Sequence, residues 1–306
     1  MILEFREHLL NSRNSTLVNN VHARNRFDER HDAEFMTLLH QGGAYLPDGV
    51  VDACTRHVGP VYSSRHGSTL TFHSSTRVTA NEMKMIDAAA KFLEKRGLEI
   101  QVRLYYVPVL GSKKTRSMSL LSPIDINSGV TMFTAPNESV VLVYRRQEAI
   151  KVILHELIHA YALDYSGSKK WSTTGKALAK KWNVLSRVEV RLNEAYVELM
   201  ASFLYSELSS RHSPNSKSVK ILDMSQHFLN QAEKIICITA AQGKFDQMTH
   251  AFEYYIVKAA PFFDNSIEQV KAVMNSGNSD AILNMFVDST NKYMSQAACR
   301  LGMTSL

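Results

Sequence analysis

Cysteine is scarce, apolar runs are short and neither sign of charge dominates, and each shortage removes a class of protein. Only three cysteines, Cys54, Cys237 and Cys299, occur in 306 residues. An odd, widely spaced set outlines neither a disulfide framework nor a thiolate metal cluster, and a reducing, intracellular, cytoplasmic setting is the default expectation. No stretch approaches the roughly 18 uninterrupted apolar residues of a membrane-spanning helix. The N-terminal MILEFREHLLNSRN scatters acids and bases through a short apolar pattern. It lacks the basic start, apolar middle and small-residue cleavage site of a secretory signal. There is no internal repeat and no long low-complexity segment.

What is present is an ordinary globular composition, 45% hydrophobic and 21% charged, in a chain long enough for one large domain or two lobes. The net charge of +6 names no partner by itself. Its distribution is less even. Lys169, Lys170, Lys176, Lys180, Lys181, Arg187 and Arg191 face a single acid, Glu189, within 169–191. The simplest reading is a solvated helix-and-loop face. The alternative is a basic rim for an acidic substrate or a nucleic-acid backbone, without the aromatic-basic interleaving that would support it.

The patterning predicts an α+β fold in three parts. Residues 1–46 open with a short amphipathic helix pattern and pass through the polar NSRNSTLVNN, which reads as an N-terminal arm or cap, or a pro-segment. Residues 47–166 read as an α+β lobe. STLTFH, LEIQVRLYYVPV, GVTMFTA and SVVLVYR are strands, PNES is a hairpin turn, and Thr79 with Glu82 opens a helix that Gly97 ends. Residues 167–306 read as almost wholly helical, including 185–210 and most of 216–303. Breaks are expected at Ser213-Pro214, Gly243 and Gly277, and Ser266 with Gln269 forms a second capping box.

The helix between the two lobes, VILHELIHAY, places two histidines and a glutamate in the most apolar segment of the chain. An unpaired buried polar group costs about 1–3 kcal/mol, so the three need a partner. Residues four apart share a helix face. His155 and His159 can therefore aim imidazole nitrogens at one ion, at about 2.0–2.1 Å for zinc. Glu156 follows the first histidine and can reach a water rather than the ion. Zinc lowers the pKa of such a water toward about 7 and a carboxylate takes its proton, the division of labour in H-E-x-x-H.

A catalytic zinc usually has three protein ligands. A metzincin-like continuation would need glycine and histidine where Ala162 and Tyr165 stand. Asp164 is near in sequence, but its spacing turns it off the zinc-facing side. Downstream, RLNEAYVELMASFLY carries Glu194 and Glu198 one turn apart on a helix whose other face is apolar.

HELIH followed by NEAYVE resembles the gluzincin metallopeptidases, the thermolysin-like zincins, over about Val152 to Ala201. The resemblance implies a zincin-like fold, with a small mixed-sheet lobe, a helical lobe and the active-site helix between them. It implies Zn2+ bound by His155, His159 and Glu194, with Glu156 as general base in hydrolysis of a protein or peptide substrate. It makes Glu198 the group that hydrogen-bonds the far nitrogen of a ligand histidine, in a place where aspartate is more usual. It also implies an edge strand, SVVLVYR or GVTMFTA, lining the cleft. A histidine or tyrosine after the third ligand would stabilise the oxyanion, and His212, His227, His250, Tyr196, Tyr254 and Tyr255 are candidates by type. The alternative function is a catalytically silent zincin-fold component of a larger assembly, contacting nucleic acid through 169–191.

Overall fold

The computed structural model describes residues 1–11, 22–24, 35–37, 39, 46–47, 49–56, 61–110, 126–212, 221–240, 245–247 and 249–300. Among them, six strands form the main sheet: β1 (His22–Arg24), β2 (Val61–His66), β3 (Leu70–Ser74), β4 (Gln101–Leu110), β5 (Gly129–Ala135) and β6 (Glu138–Arg145). They lie in the order β1-β2-β3-β4-β6-β5. The sheet is mixed: β4 runs parallel to β3 and β6, whereas the β1/β2, β2/β3 and β5/β6 pairs are antiparallel. The Pro136-Asn137 turn between β5 and β6 sits within the predicted hairpin.

Side-chain alternation divides the core. Val102, Leu104, Tyr106, Val141 and Val143 point to one apolar cluster, and Tyr105, Val107, Val140, Leu142 and Tyr144 to the other. Both faces of β4 and β6 are thus covered, which is why their sequences are nearly continuous apolar runs. The smaller cluster is closed by Phe35, Leu39, Leu46 and, from a short helix, Val50 and Cys54.

The helices fill the other side, except for the short one at Val50–Thr55 that closes the smaller cluster. In chain order they are α1 (Ile2–Asn11), α2 (Val50–Thr55), α3 (Ala80–Leu93), α4 (Ala149–Ala160), α5 (Lys169–Lys181), α6 (Leu192–His212), α7 (Ile221–Ala240), α8 (Pro261–Asp264), α9 (Ile267–Asn275) and α10 (Ser279–Arg300). Both capping boxes form, Thr79 with Glu82 on α3 and Ser266 with Gln269 on α9. Gly97 ends the turn after α3 where the chain presses on α4: a Cβ there would lie 2.4 Å from the Tyr161 carbonyl oxygen, so only glycine fits. Gly277 separates α9 from α10 at φ +65°. The expected breaks at Ser213-Pro214 and Gly243 lie outside the described residues.

Two segments differ from the sequence expectation. The helix expected over 185–210 begins only at Leu192. Before it, Val184–Ser186 forms a strand, β7, paired in parallel with β8 (Phe245–Gln247). A partner about sixty residues along the chain overrides local propensity there. The basic stretch contains α5, which buries Trp171, Gly175 and Leu178 and turns its lysines outward.

The described parts of residues 1–46 are built into the body. Ile2, Phe5 and Leu9 of α1 lie in the main core, and Asn275 Oδ1 accepts the Ile2 N–H at 2.7 Å. Strand β1 extends the sheet. The main cluster runs without interruption from α1 across the sheet to α10, so sheet and helices share one core. Among the described residues, no helix is long and apolar enough to cross a membrane.

Candidate metal centre and active site

Helix α4 lies against β5, β6 and α6, and all its residues but Ala149 and His159 are buried. The four-residue spacing brings the Nε2 atoms of His155 and His159 to 3.2 Å from each other. Glu194, in the first turn of α6, puts Oε2 3.6 Å from the first and 3.4 Å from the second. Zinc bonds of about 2.05 Å at tetrahedral angles would separate donor atoms by about 3.3 Å. The three spacings bracket that value, and the buried His155–His159–Glu194 group could hold a metal ion.

The far ring nitrogens are both tied down. His155 Nδ1 donates to Glu198 Oε2 at 3.1 Å, and His159 Nδ1 donates to Asp164 Oδ2 at 2.6 Å. Protons on Nδ1 leave lone pairs on both Nε2 atoms, facing each other and a carboxylate. Such a cluster is stable only around a cation or shared protons. In the protein without metal, burial pushes the His155 pKa down, but hydrogen bonds to Glu194 and Glu198 outweigh it and the net shift is upward. His159 is raised further, because Glu194 and Asp164 overcome its burial. Burial raises Glu194, but the histidine charges hold it well below the usual carboxylate range.

Asp164 is an orienting group that local sequence spacing does not reveal. Ala162 (φ 55°) and Tyr165 (φ 58°) adopt left-handed conformations on either side of it. This strained reversal folds the chain back beneath His159. Ser166 N–H donates to Asp164 Oδ1 at 3.1 Å, and Asn193 reaches Oδ2 at 3.4 Å.

Glu156 faces the sheet. Thr131 Oγ1 stands 2.7 Å from its Oε2 and 3.0 Å from its backbone oxygen. A Cβ on Gly129 would come within 2.8 Å of Oε1, so the glycine makes room for the carboxylate. Burial raises the Glu156 pKa, and the nearby imidazoles and Thr131 only partly oppose it. The strand that holds this carboxylate is β5, which ends one side of the sheet among the described residues, so of the two candidate edge strands GVTMFTA occupies the edge there.

A third wall comes from a π-helical turn, Phe252–Val257, a wide ring often found at functional sites. Tyr254 OH donates to Glu194 Oε2 at 3.1 Å, and its ring packs edge-on against His155. Burial and three surrounding carboxylates raise its pKa well above the usual tyrosine value, so the hydroxyl keeps its proton. His250 Nδ1 is 2.9 Å from the buried Glu253, which also accepts the Arg191 N–H at 2.8 Å.

These groups line a cavity of about 550 Å3, which also takes in His227, Tyr255 and Arg191. Of the oxyanion candidates, Tyr254, Tyr255, His250 and His227 reach it. Tyr196 is packed among Tyr165 and Trp171 instead, and the side chain of His212 lies outside the described part. No described residue of 1–46 lines the cavity. In the basic stretch, Lys170 pairs with Asp280 and Lys176 with Glu189. Scanned against protein-family models, curated proteins and solved structures, the chain matches none of them.

Proposed function

We propose that the protein is a zinc-dependent metallopeptidase of zincin-like fold that hydrolyses protein or peptide substrates. One observation carries the reading: two imidazoles and one carboxylate, buried or nearly so, converge at tetrahedral spacing beside a second carboxylate, the buried Glu156, which is not among them. Two imidazoles and one carboxylate are a donor set of catalytic zinc, which leaves a coordination position open. When bound there, zinc supplies Lewis-acid chemistry, polarising a carbonyl and making a water acidic near neutral pH.

The chain's own residues would do the rest. Glu156, with its raised pKa, takes a proton from the attacking water as the water oxygen bonds to the carbonyl carbon. It then delivers that proton to the departing amide nitrogen as the C–N bond breaks. Thr131 and Gly129 fix its direction. The Tyr254 hydroxyl, which keeps its proton, would turn from Glu194 to donate to the carbonyl oxygen as charge builds there. Glu198 and Asp164 hold the imidazoles with Nε2 toward the ion. Among the described residues β5 pairs only with β6, and its outer edge would offer backbone groups to an extended peptide, with Phe133 on it exposed.

The test compares the parent with Glu156→Gln for bound zinc and casein hydrolysis. The parent should hold zinc and cleave. The variant should keep the metal and lose about 10²–10⁴ in kcat, the usual share of a general base. A parent that binds zinc but cleaves no peptide would sink the enzymatic reading in favour of a silent zincin-fold binding protein.

A further inference from the structure

The polar contacts of the site form a ladder across three helical segments. Lys151, His155 and His159 stand at four-residue intervals on α4, Glu194 and Glu198 on α6, and Tyr254 and Lys258 on the π-helical turn and the residue that follows it. One rung joins both histidines, Glu194 and Tyr254. The next centres on Glu198. Its Oε2 takes His155 Nδ1, while Oε1 receives Lys151 Nζ at 3.0 Å and Lys258 Nζ at 3.4 Å. Lys151 and Lys258 are 9% and 3% exposed, so both ammonium groups are withdrawn from water. Lys151 also meets Glu148 at 3.2 Å, and Lys258 lies over the Phe228 ring at 4.0 Å.

Burying two ammonium groups at one carboxylate carries a desolvation cost that apolar packing would avoid. The hydrogen bond from His155 to Glu198 requires neither of them. What the pair adds is geometric. With Oε1 gripped from α4 and from the π-helical segment, the carboxylate cannot rotate, and only Oε2 faces His155. The same contact ties Tyr254, about one turn before Lys258, to the frame that holds the imidazoles.

We propose that Lys151 and Lys258 are positioning residues of the metal centre, clamping Glu198 so that His155 is aimed at the ion before the ion arrives. The proposal rests on the zinc reading above. It concerns the support of a ligand rather than the ligands themselves, and it predicts an effect on metal binding whether or not a substrate is present.

The measurement is zinc affinity by competition with a chromophoric chelator, for Lys151→Met and Lys258→Met, each alone and combined with Glu198→Gln. Methionine keeps the apolar stem and removes the ammonium. Each single lysine variant should bind zinc about 10-fold more weakly, the lower end for loss of an outer-shell partner. In the Glu198→Gln background the same substitutions should cost nothing further, because the clamp acts through Glu198. The visible spectrum of the cobalt-substituted protein should change in the single variants, a signature that a loss of packing alone would not produce. Unchanged zinc affinity in both single variants overturns the clamp, as does an equal loss with and without Glu198. If a methionine variant does not fold, the corresponding glutamine variant is measured with the same two outcomes. A parent that binds no zinc removes the metallopeptidase reading and the clamp together, whereas a tight-binding parent with indifferent lysines removes only the clamp.

Discussion

At the scale of single residues, the site depends on atoms that keep others in place. Gly129 has no chemistry, yet an alanine Cβ there would collide with the Glu156 carboxylate. Gly129→Ala should retain zinc and lower kcat about 10²-fold, the cost of a reacting group displaced by about 1 Å. Zinc titration alongside steady-state kinetics checks it, and a loss of metal instead would place the glycine's role elsewhere. Asp164→Asn replaces the acceptor for His159 Nδ1 with an amide that can present either end. Zinc affinity should fall about 10–100-fold with the fold intact. The reason Asp164 is hard to read from sequence is local: two left-handed backbone positions, at Ala162 and Tyr165, carry it under the helix end, and neither residue type advertises that conformation.

At the scale of elements, local rules succeed where local forces dominate. The Thr79 cap is a short-range interaction, with the side chain accepting the Glu82 N–H at 3.2 Å and Glu82 returning to the Thr79 N–H at 2.8 Å. Thr79→Ala should therefore cost about 1 kcal/mol of folding stability and leave zinc affinity unchanged; chemical denaturation and the same chelator competition test both halves. The buried strands β4 and β6, and helix α4 with its i, i+4 histidines, were legible for the same reason, since burial on both faces and a fixed helical period leave direct marks in the sequence. Local rules fail at β7, whose three residues become a strand only because Phe245–Gln247 lies beside them. They also give no hint of the π-helical turn, where one extra residue per ring aims Tyr254 at Glu194.

At the scale of the whole molecule, the proposed zinc centre would link metal binding, protonation and stability. Without metal, both candidate ligand histidines, His155 and His159, have raised pKa values in the folded state. Groups raised on folding contribute stability that is fully present below their unfolded value, about 6.5 for histidine, and that is lost as pH rises through the folded values. Zinc needs the deprotonated rings, so its affinity should rise over the same interval, with protons released on binding. The drop in melting temperature on adding EDTA should thus widen from pH 6 to pH 8. At zinc one hundred times its Kd the linkage is worth about 2.7 kcal/mol. Scanning calorimetry across that range tests it, and a chelation effect that shrinks with rising pH would contradict the assignment of the histidines as ligands.

The sequence by itself determined that the chain is α+β, that α4 is a buried helix, and that His155, Glu156 and His159 share it, because helical and strand periods are short-range and repeat in the letters. It also held Glu194 and Glu198 one turn apart on a second helix. Only the tertiary structure decided which groups meet: Glu194 between the imidazoles, Asp164 behind His159, Thr131 and Gly129 around Glu156, and two buried lysines on Glu198. Those encounters join positions up to about sixty residues apart. They depend on how one continuous core stacks sheet and helices, and no local pattern encodes that.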